Sequence, residues 1–478
     1  MNAIAIAVLA ASVADLTGSW LAELRHEGES TPFGLELEAA EDGKVLVKMS
    51  MPVVHMRHQA VGKMPLSVSG QEVKFGPFAF TYDPAARTLS GAMPKDLVPV
   101  YSIPLLLKRV DRLDLPERPE VAAPLAEPIW TFEAGSPLWP GATFADGTVY
   151  AGGNDGRLHA LDAATGKPRW SFLAGGPIRA LATVAGGDVF FQADDGFVYK
   201  LAAATGKEQW RVQVGTKPVE RLPFDNPKSR YDRFGSGVTV DGGRLYLGTH
   251  EGRVLALEAA SGKTVWEFAS GDSVLAAPAV ALGRVYFGSY DGHVYALDAV
   301  RGQLVWKHDT KAAVVSTPAV DAASGRVVIG SRSYDLLGLD AATGARVWKQ
   351  YIWSSWVESS ASLRDGVAYV GSSDAAALYA FDARTGRRLW ATDVHGWAWG
   401  QPAVTEGRVF IGAAATKDYL VGHRGGAVAV DRATGRPVWN FVAKASDAGS
   451  YGFPGTPALG AGRVFLTGLD GRVYAFAQ

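Results

Sequence analysis

The last stretch of the chain, Asp470-Gly471-Arg472-Val473-Tyr474-Ala475-Phe476, is an unfinished copy of a unit that the sequence completes seven times upstream. A complete copy reads Val294-Tyr295-Ala296-Leu297-Asp298-Ala299-Val300-Arg301-Gly302-Gln303-Leu304-Val305-Trp306. An apolar strand ends in Ala-x-Asp, turns at a glycine, and resumes as a strand carrying a tryptophan four residues past that glycine. The pairs are Gly166–Trp170, Gly206–Trp210, Gly262–Trp266, Gly302–Trp306, Gly344–Trp348, Gly386–Trp390 and Gly435–Trp439. The eighth copy stops at Gln478, ahead of any turn or tryptophan. A strand without an outer neighbour leaves backbone donors and acceptors unpaired. The missing piece lies far upstream, where Ile129-Trp130-Thr131-Phe132-Glu133-Ala134-Gly135 matches Val265-Trp266-Glu267-Phe268-Ala269-Ser270-Gly271 in kind and order. That segment is expected to supply the last outer strand and close a ring.

Repeats built from strands and glycine turns point to a β-propeller. With Trp130 the repeat tryptophans number eight, and their separations are 40, 40, 56, 40, 42, 42 and 49 residues. A unit of about forty residues accommodates four strands, so an all-β fold with an eight-bladed propeller is expected. A coincidental β-sandwich would not place a tryptophan at one offset from a glycine seven times.

Composition narrows the function. The apolar fraction of 47% supports a large core, and 56 glycines suit a chain of many turns. A net charge of −1 supplies no global field for nucleic acid or an anionic membrane. The sequence has no cysteine, which excludes disulfides, thiolate metal sites, CxxCH haem attachment, cysteine nucleophiles and a lipid-modified cysteine anchor. All six methionines lie at or before Met93, and thirteen of the fourteen tryptophans lie at or after Trp130. Two differently built regions therefore meet near residues 112–126, where Asp114-Leu115-Pro116-Glu117-Arg118-Pro119-Glu120 reads as a linker.

Residues 1–14 form a short apolar run ending in Ser12-Val13-Ala14, a small-x-small pattern that suits a secretory signal peptide and a periplasmic or secreted protein. No lysine or arginine precedes the run, so an N-terminal strand is the alternative, and the run is too short to span a bilayer. Residues 15–111 read as short strands between turns, with period-two alternation over Phe33-Gly34-Leu35-Glu36-Leu37-Glu38, hence a small antiparallel barrel-like domain. His55 and His58 read as surface histidines, because no acidic partner is obvious for a metal pair. The opening Leu16-Thr17-Gly18-Ser19-Trp20 and closing Leu105-Leu106-Leu107-Lys108-Arg109 resemble the lipocalin-like β-domain that precedes some secreted bacterial hydrolases.

From residue 127 to 478 the signature Asp-Gly-x-Val-Tyr-Ala-Leu-Asp-Ala-x-Thr-Gly-x-x-x-Trp resembles the quinoprotein-type, or PQQ-like, repeat. That repeat is found in pyrroloquinoline-quinone dehydrogenases and in the BamB-like family of outer-membrane assembly factors. The tryptophans are expected to fill the space between blades against small residues such as Ala296 and Gly302. Asp162, Asp298, Asp340, Asp382 and Asp431 are expected to accept amide bonds in the turns that follow them, while blade two carries Ala202 and blade three Glu258 instead. These residues are read as structural.

Function is expected where the repeat is broken. With strands A to D counted outward from the axis, the D-to-A connections and B-to-C turns share one face. Trp266 to Pro278 spans 12 residues, whereas Trp210 to Val238 spans 28, an insertion of sixteen around residues 221–234. Trp439 to Pro457 spans 18, and a longer B-to-C loop at residues 413–424 adds nine in blade seven. The opposite face gains only two residues, at 321–325. Long loops mark the working face. Candidate binding residues there are Trp139, Arg179, Arg230, Tyr231, Asp232, Arg233, Phe234, Trp353, Trp356, Glu358, Trp397, Trp399, Tyr451 and Phe453. Aromatic rings mixed with arginines suit a groove that binds by stacking and bidentate hydrogen bonds; the alternative is that the rings fill a wide axial channel.

Three functions are compatible with this pattern. The first is an exported, non-catalytic scaffold that docks a protein segment or polymer on the long-loop face. The second, implied by the quinoprotein resemblance, is a PQQ- and calcium-dependent alcohol or sugar dehydrogenase. It would use Glu358 and Asp232 as carboxylates and Asn226 as the one asparagine in a working-face loop. The third is a hydrolase or lyase using Glu358 with His395, for which no nucleophile elbow is present.

Overall fold

Strict alternation builds the first unit. In Phe78–Asp83 the residues Phe78, Phe80 and Tyr82 are buried while Ala79, Thr81 and Asp83 are exposed, as a strand with one core face requires. Eight such strands, from Gly18–His26 to Pro104–Val110, pair in chain order. The last returns to the first through Ser19↔Val110, Trp20↔Arg109 and Leu21↔Lys108, so the barrel is closed and has no free edge. Trp20, Phe33, Leu35, Phe75 and Phe78 fill its interior, the expected state of an eight-stranded barrel. The chain divides into this unit and the propeller at residue 120/121. The computed structural model describes residues 12–478 apart from 96–99, 117–121, 223–228, 418, 420 and 448. Most of the expected leader lies outside the described residues; Ser12 caps the one-turn helix Val13–Leu16, and Leu16 is fully buried. His58 does have an acidic neighbour, Glu36, on the adjoining strand pair. His55 sits outside the strand, in a left-handed turn (φ 57°).

The second unit is a ring of eight antiparallel sheets among the described residues, seven with four strands in chain order and the eighth with an early strand outermost, and the seventh carries one further short strand. Blade one begins at Ala142–Ala145 and blade eight ends at Arg472–Ala477. The ring closes as the repeat implied. Trp130–Glu133 is the outer strand of blade eight, in the register Arg472↔Glu133, Val473↔Phe132, Tyr474↔Thr131 and Ala475↔Trp130. Part of the segment read as linker also joins a sheet. Ala126 donates to the Asn440 carbonyl (2.7 Å) and Asn440 donates to the Pro124 carbonyl (3.0 Å), against the outer strand Pro437–Val442.

Each repeat tryptophan ties its blade to the next. The indole N–H of Trp130 donates to Ala163 (3.1 Å), Trp170 to Ala203 (2.9 Å), Trp266 to Ala299 (3.1 Å), Trp306 to Ala341 (3.1 Å) and Trp348 to Ala383 (2.9 Å). The ring of the indole lies over the turn glycine of that next blade; a Cβ on Gly302 would meet Trp266 at 2.6 Å. The repeat aspartates accept turn amides, as in Arg301 N to Asp298 (2.7 Å) and Thr385 N to Asp382 (2.8 Å). In blade three, Glu258 instead accepts from the Ser261 hydroxyl (2.7 Å). No helix among the described residues is long and apolar enough to cross a membrane.

Candidate functional site

The inserted connection between blades two and three spans the mouth of the ring. Its backbone at residues 230–235 is held by groups from elsewhere round the ring and by Arg221 of the same connection. The Arg230 carbonyl accepts from Arg332 Nη1 (2.8 Å) and from the Tyr290 hydroxyl. The Asp232 carbonyl accepts from Arg221, and the Arg233 carbonyl accepts from Arg179 Nη1 (3.5 Å). Gly235 N donates to the Arg179 carbonyl (2.9 Å). Tyr290 and Arg332 stand in B-to-C turns of blades four and five. The side chains reach further round the ring. Arg233 lies between the indoles of Trp139 (5.2 Å) and Trp399 (5.0 Å), which precede blades one and seven. Phe234 meets Trp139 edge to face (6.0 Å, 84°), and Tyr231 packs on Trp356 (5.9 Å) ahead of blade six. A segment that touches blades on opposite sides of the ring crosses its axis.

Asp194, Asp232, Asp272 and Glu358 each face a basic side chain. Arg230 forks onto Asp272 (3.1 and 2.8 Å), and Arg221 forks onto Asp194 (3.0 Å each). Arg179 also reaches Asp194 (3.2 Å), His250 Nε2 meets Asp232 (2.5 Å), and Arg332 meets Glu358 (2.6 Å). Such charge-assisted pairs are the strong class of hydrogen bond and fix geometry as well as charge. Burial pushes the Asp232 carboxyl up, but the His250 hydrogen bond and the Arg221 charge more than offset it and hold the group below its ordinary value. Burial lowers Arg233 to about 10, with Glu358 opposing, so its guanidinium is charged at neutral pH. Burial likewise opposes the Arg332 charge, and Glu358 overcomes it. Arg332 is also stacked between Trp356 (4.4 Å) and Tyr290 (5.0 Å), and Arg230 lies over Tyr290 (4.1 Å).

Of the expected residues, Trp139, Arg179, Arg230, Tyr231, Asp232, Arg233, Phe234, Trp356, Glu358 and Trp399 belong to this one network. Trp397 backs it, stacked on Trp399 (4.9 Å, 11°) with its N–H on Asp374 (2.8 Å). The other three lie elsewhere. Trp353 is buried edge-on against Tyr351 (5.1 Å), and Tyr451 is in a short strand paired with Ala414–Ala415. Phe453 packs into the core between blades seven and eight against Phe441 and Tyr474. Glu358 and His395 have separate neighbours, Arg332 and Asp393 (3.3 Å). Asn226 lies outside the described residues.

Asp194, Arg221, His250, Asp272, Tyr290 and Arg332 also take part, although the repeat pattern does not single them out. For four of them a signal exists. Asn154, Asp194, His250 and Tyr290 each stand just before the acid-Gly pair of a B-to-C turn, and Arg332 takes the same place before Ser333. That column changes in every blade while its neighbours repeat. Beside the network a cavity of about 380 Å³ opens between blades two and three, lined by Gln192, Val214, Lys217, Leu222 and Glu251 among others.

The family described as outer membrane protein assembly factor BamB matches residues 121–226, 220–365 and 338–478, the whole propeller. The chain belongs to that family. Among solved structures, BamB from Moraxella catarrhalis is 20% identical with a TM-score of 0.55, covering 74% of this chain and 98% of that one. The computationally designed Ika8 protein is 17% identical with a TM-score of 0.59, covering 72% of this chain and 98% of its own. Quinohemoprotein alcohol dehydrogenase from Comamonas testosteroni is 16% identical with a TM-score of 0.56, covering 74% and 76%. These identities establish a shared fold. No curated protein matches the chain.

The mouth of this BamB-family chain does not fit a quinone–calcium site. A hard cation is held by carboxylates that face it, yet Glu358 faces the Arg332 guanidinium and Asp232 has Arg221 and His250 beside it, and a guanidinium charge opposes a metal ion there. The space over the tryptophans is taken by residues 229–235, with Arg233 on the indole faces. Protein incubated with pyrroloquinoline quinone and Ca²⁺ is expected to emerge from gel filtration without quinone absorbance. A stoichiometric chromophore together with alcohol-dependent dye reduction would overturn this.

Proposed function

We propose that this BamB-family chain is an exported, non-catalytic binding propeller of the periplasm that docks an extended protein segment on the long-connection face. Tyr231 carries the reading. It is not a glycine, yet it sits at φ 54°, and 41% of it is exposed although its ring packs on Trp356. Holding a bulky residue in the left-handed region costs of order 1–3 kcal/mol, and such strain persists where the surroundings impose it, which is characteristic of binding sites. The strain marks the mouth as the place where a partner acts, and Trp356 against the Tyr231 ring is the aromatic anchor that such a partner would use. The arginines and half-buried indoles around it supply the rest of such a surface, and the family's description as an assembly factor supports a protein partner.

The test is a panel of extended peptides taken from envelope β-barrel proteins, read by tryptophan fluorescence. Binding peptides are expected, and Trp356→Ala should weaken them about tenfold or more in a variant that still unfolds cooperatively. A panel with no binder, or unchanged affinity in the variant, overturns the reading.

A further inference from the structure

We infer that Ser229-Arg230-Tyr231-Asp232-Arg233-Phe234-Gly235 is a tethered stand-in for the ligand. The mouth is a groove for an extended segment bearing arginine and aromatic side chains, and a partner segment of that chemistry displaces the chain's own. The inference rests on the docking function proposed above and adds the partner's chemistry and a built-in competitor.

Three observations support it. The segment is not needed to connect the blades: blades three and four are joined with 12 residues from Trp266 to Pro278, against 28 from Trp210 to Val238. Nor is it held by its own blades' ladders. Its carbonyls at 230 and 233 are read by the side chains of Arg332, Tyr290 and Arg179, all outside the connection, as a bound peptide's would be. Finally, the groove discriminates position by position. Asp272 takes the guanidinium of 230, Trp356 the ring of 231, His250 the carboxylate of 232, and the Trp139–Trp399 cleft the guanidinium of 233.

The energetics follow. Vacating the groove would take Arg230 from Asp272 and Asp232 from His250 and leave two indole faces uncovered. An occupant that offers the same groups in the same order restores those contacts and replaces the segment at little net cost, and one that lacks them does not. A tether acts as an effective concentration in the millimolar range. A free peptide that binds the open groove at about 10 μM is therefore weakened about 100-fold by the intact chain.

The experiment uses the acetylated, amidated peptide of residues 229–235, dye-labelled and read by anisotropy. It compares the full chain with a variant lacking residues 219–234, which restores the 12-residue spacing. The shortened protein is expected to bind the peptide at least about 100-fold more tightly than the full chain, and a peptide with both arginines changed to alanine should not bind. Equal affinity for both proteins, or no binding by a shortened protein that unfolds cooperatively, overturns the inference. Should the deletion fail to fold, Arg230→Ser/Arg233→Ser in the full chain serves instead. It should raise affinity for the peptide about tenfold, and no increase is the overturning result. Envelope peptides that bind the full chain through Trp356 while neither variant gains affinity would sink this inference and leave the docking function standing. A shortened protein that binds residues 229–235 beside an empty envelope panel would do the reverse.

Discussion

Gly302→Ala is expected to destabilise the propeller by about 2–5 kcal/mol, whereas Gly283→Ala should cost only about 1–2 kcal/mol. The two glycines have the same backbone angle, φ 70°, so the left-handed penalty on a side chain is common to both. Their surroundings differ. A Cβ on Gly302 would stand 2.6, 2.7 and 2.9 Å from Trp266 ring atoms, while one on Gly283 meets nothing within 4 Å. Trp266 cannot retreat: it is 8% exposed, and its N–H is fixed on the Ala299 carbonyl. The difference between the variants in urea-induced unfolding thus isolates the overpacking of the interblade contact. Equal destabilisation would mean that the tryptophan contributes no constraint, and the account of why Gly and Trp recur together would fail.

That comparison also explains what was legible in the sequence. Gly302 and Trp306 belong to different contacts, Gly302 under Trp266 and Trp306 over Gly344, but the constraint repeats every blade and so leaves a period. Periodic constraint made the eight blades and the closing strand readable. The alternation of Phe33, Leu35 and Leu37 made the barrel strands readable for the same reason. The mouth followed no period. Its enlarged loop was visible as a spacing anomaly, and ten of its candidates do converge there, but the partners Tyr290, Arg332 and His250 are single residues in a column that varies from blade to blade, and Asp272 stands in a connection of ordinary length. Which side chain faces the axis there depends on where the insertion lies, a contact between residues as far apart in sequence as Arg230 and Arg332. Phe453 illustrates the converse. Its position after a lengthened connection suggested the mouth, yet the short strand Tyr451–Gly452 leads it into the core beside Phe441 and Tyr474.

Trp130→Ala is expected to cost about 2–4 kcal/mol, somewhat less than the loss of a fully buried tryptophan because this ring is half-buried, and to open the ring at one place. Every other blade is a continuous hairpin series, but blade eight joins Trp130–Glu133 to Arg472–Ala477 without a covalent link nearby. Trp130 bridges that seam to blade one, over Gly166 and with its N–H on Ala163 (3.1 Å), and it contacts Phe465 of blade eight (5.7 Å). Hydrogen exchange should show residues 130–133 losing protection selectively in this variant, whereas Trp306→Ala, inside the covalent run, should lower protection throughout the propeller. A seam no more labile than the rest would contradict the closing role. Acid provides an independent handle on the same joint. His159 of blade one is 8% exposed, its ring stands edge-on to Phe132 of the closing strand (5.4 Å), and its Nε2 has no hydrogen-bond partner among the described residues. Burial lowers its pKa from 6.5; Asp155 works against the shift and Arg157 with it, while Glu133 and Arg472 on the seam itself are occupied with each other. With the closed-state pKa depressed, the opened state binds the extra proton, so closure is at full strength above about 6.5 and weakens as the pH falls below it. His159→Leu should abolish that acid sensitivity of residues 130–133 without changing their protection at pH 8, because the neutral ring and leucine occupy the site alike. Persistence of the acid effect in the variant would place its origin in another group.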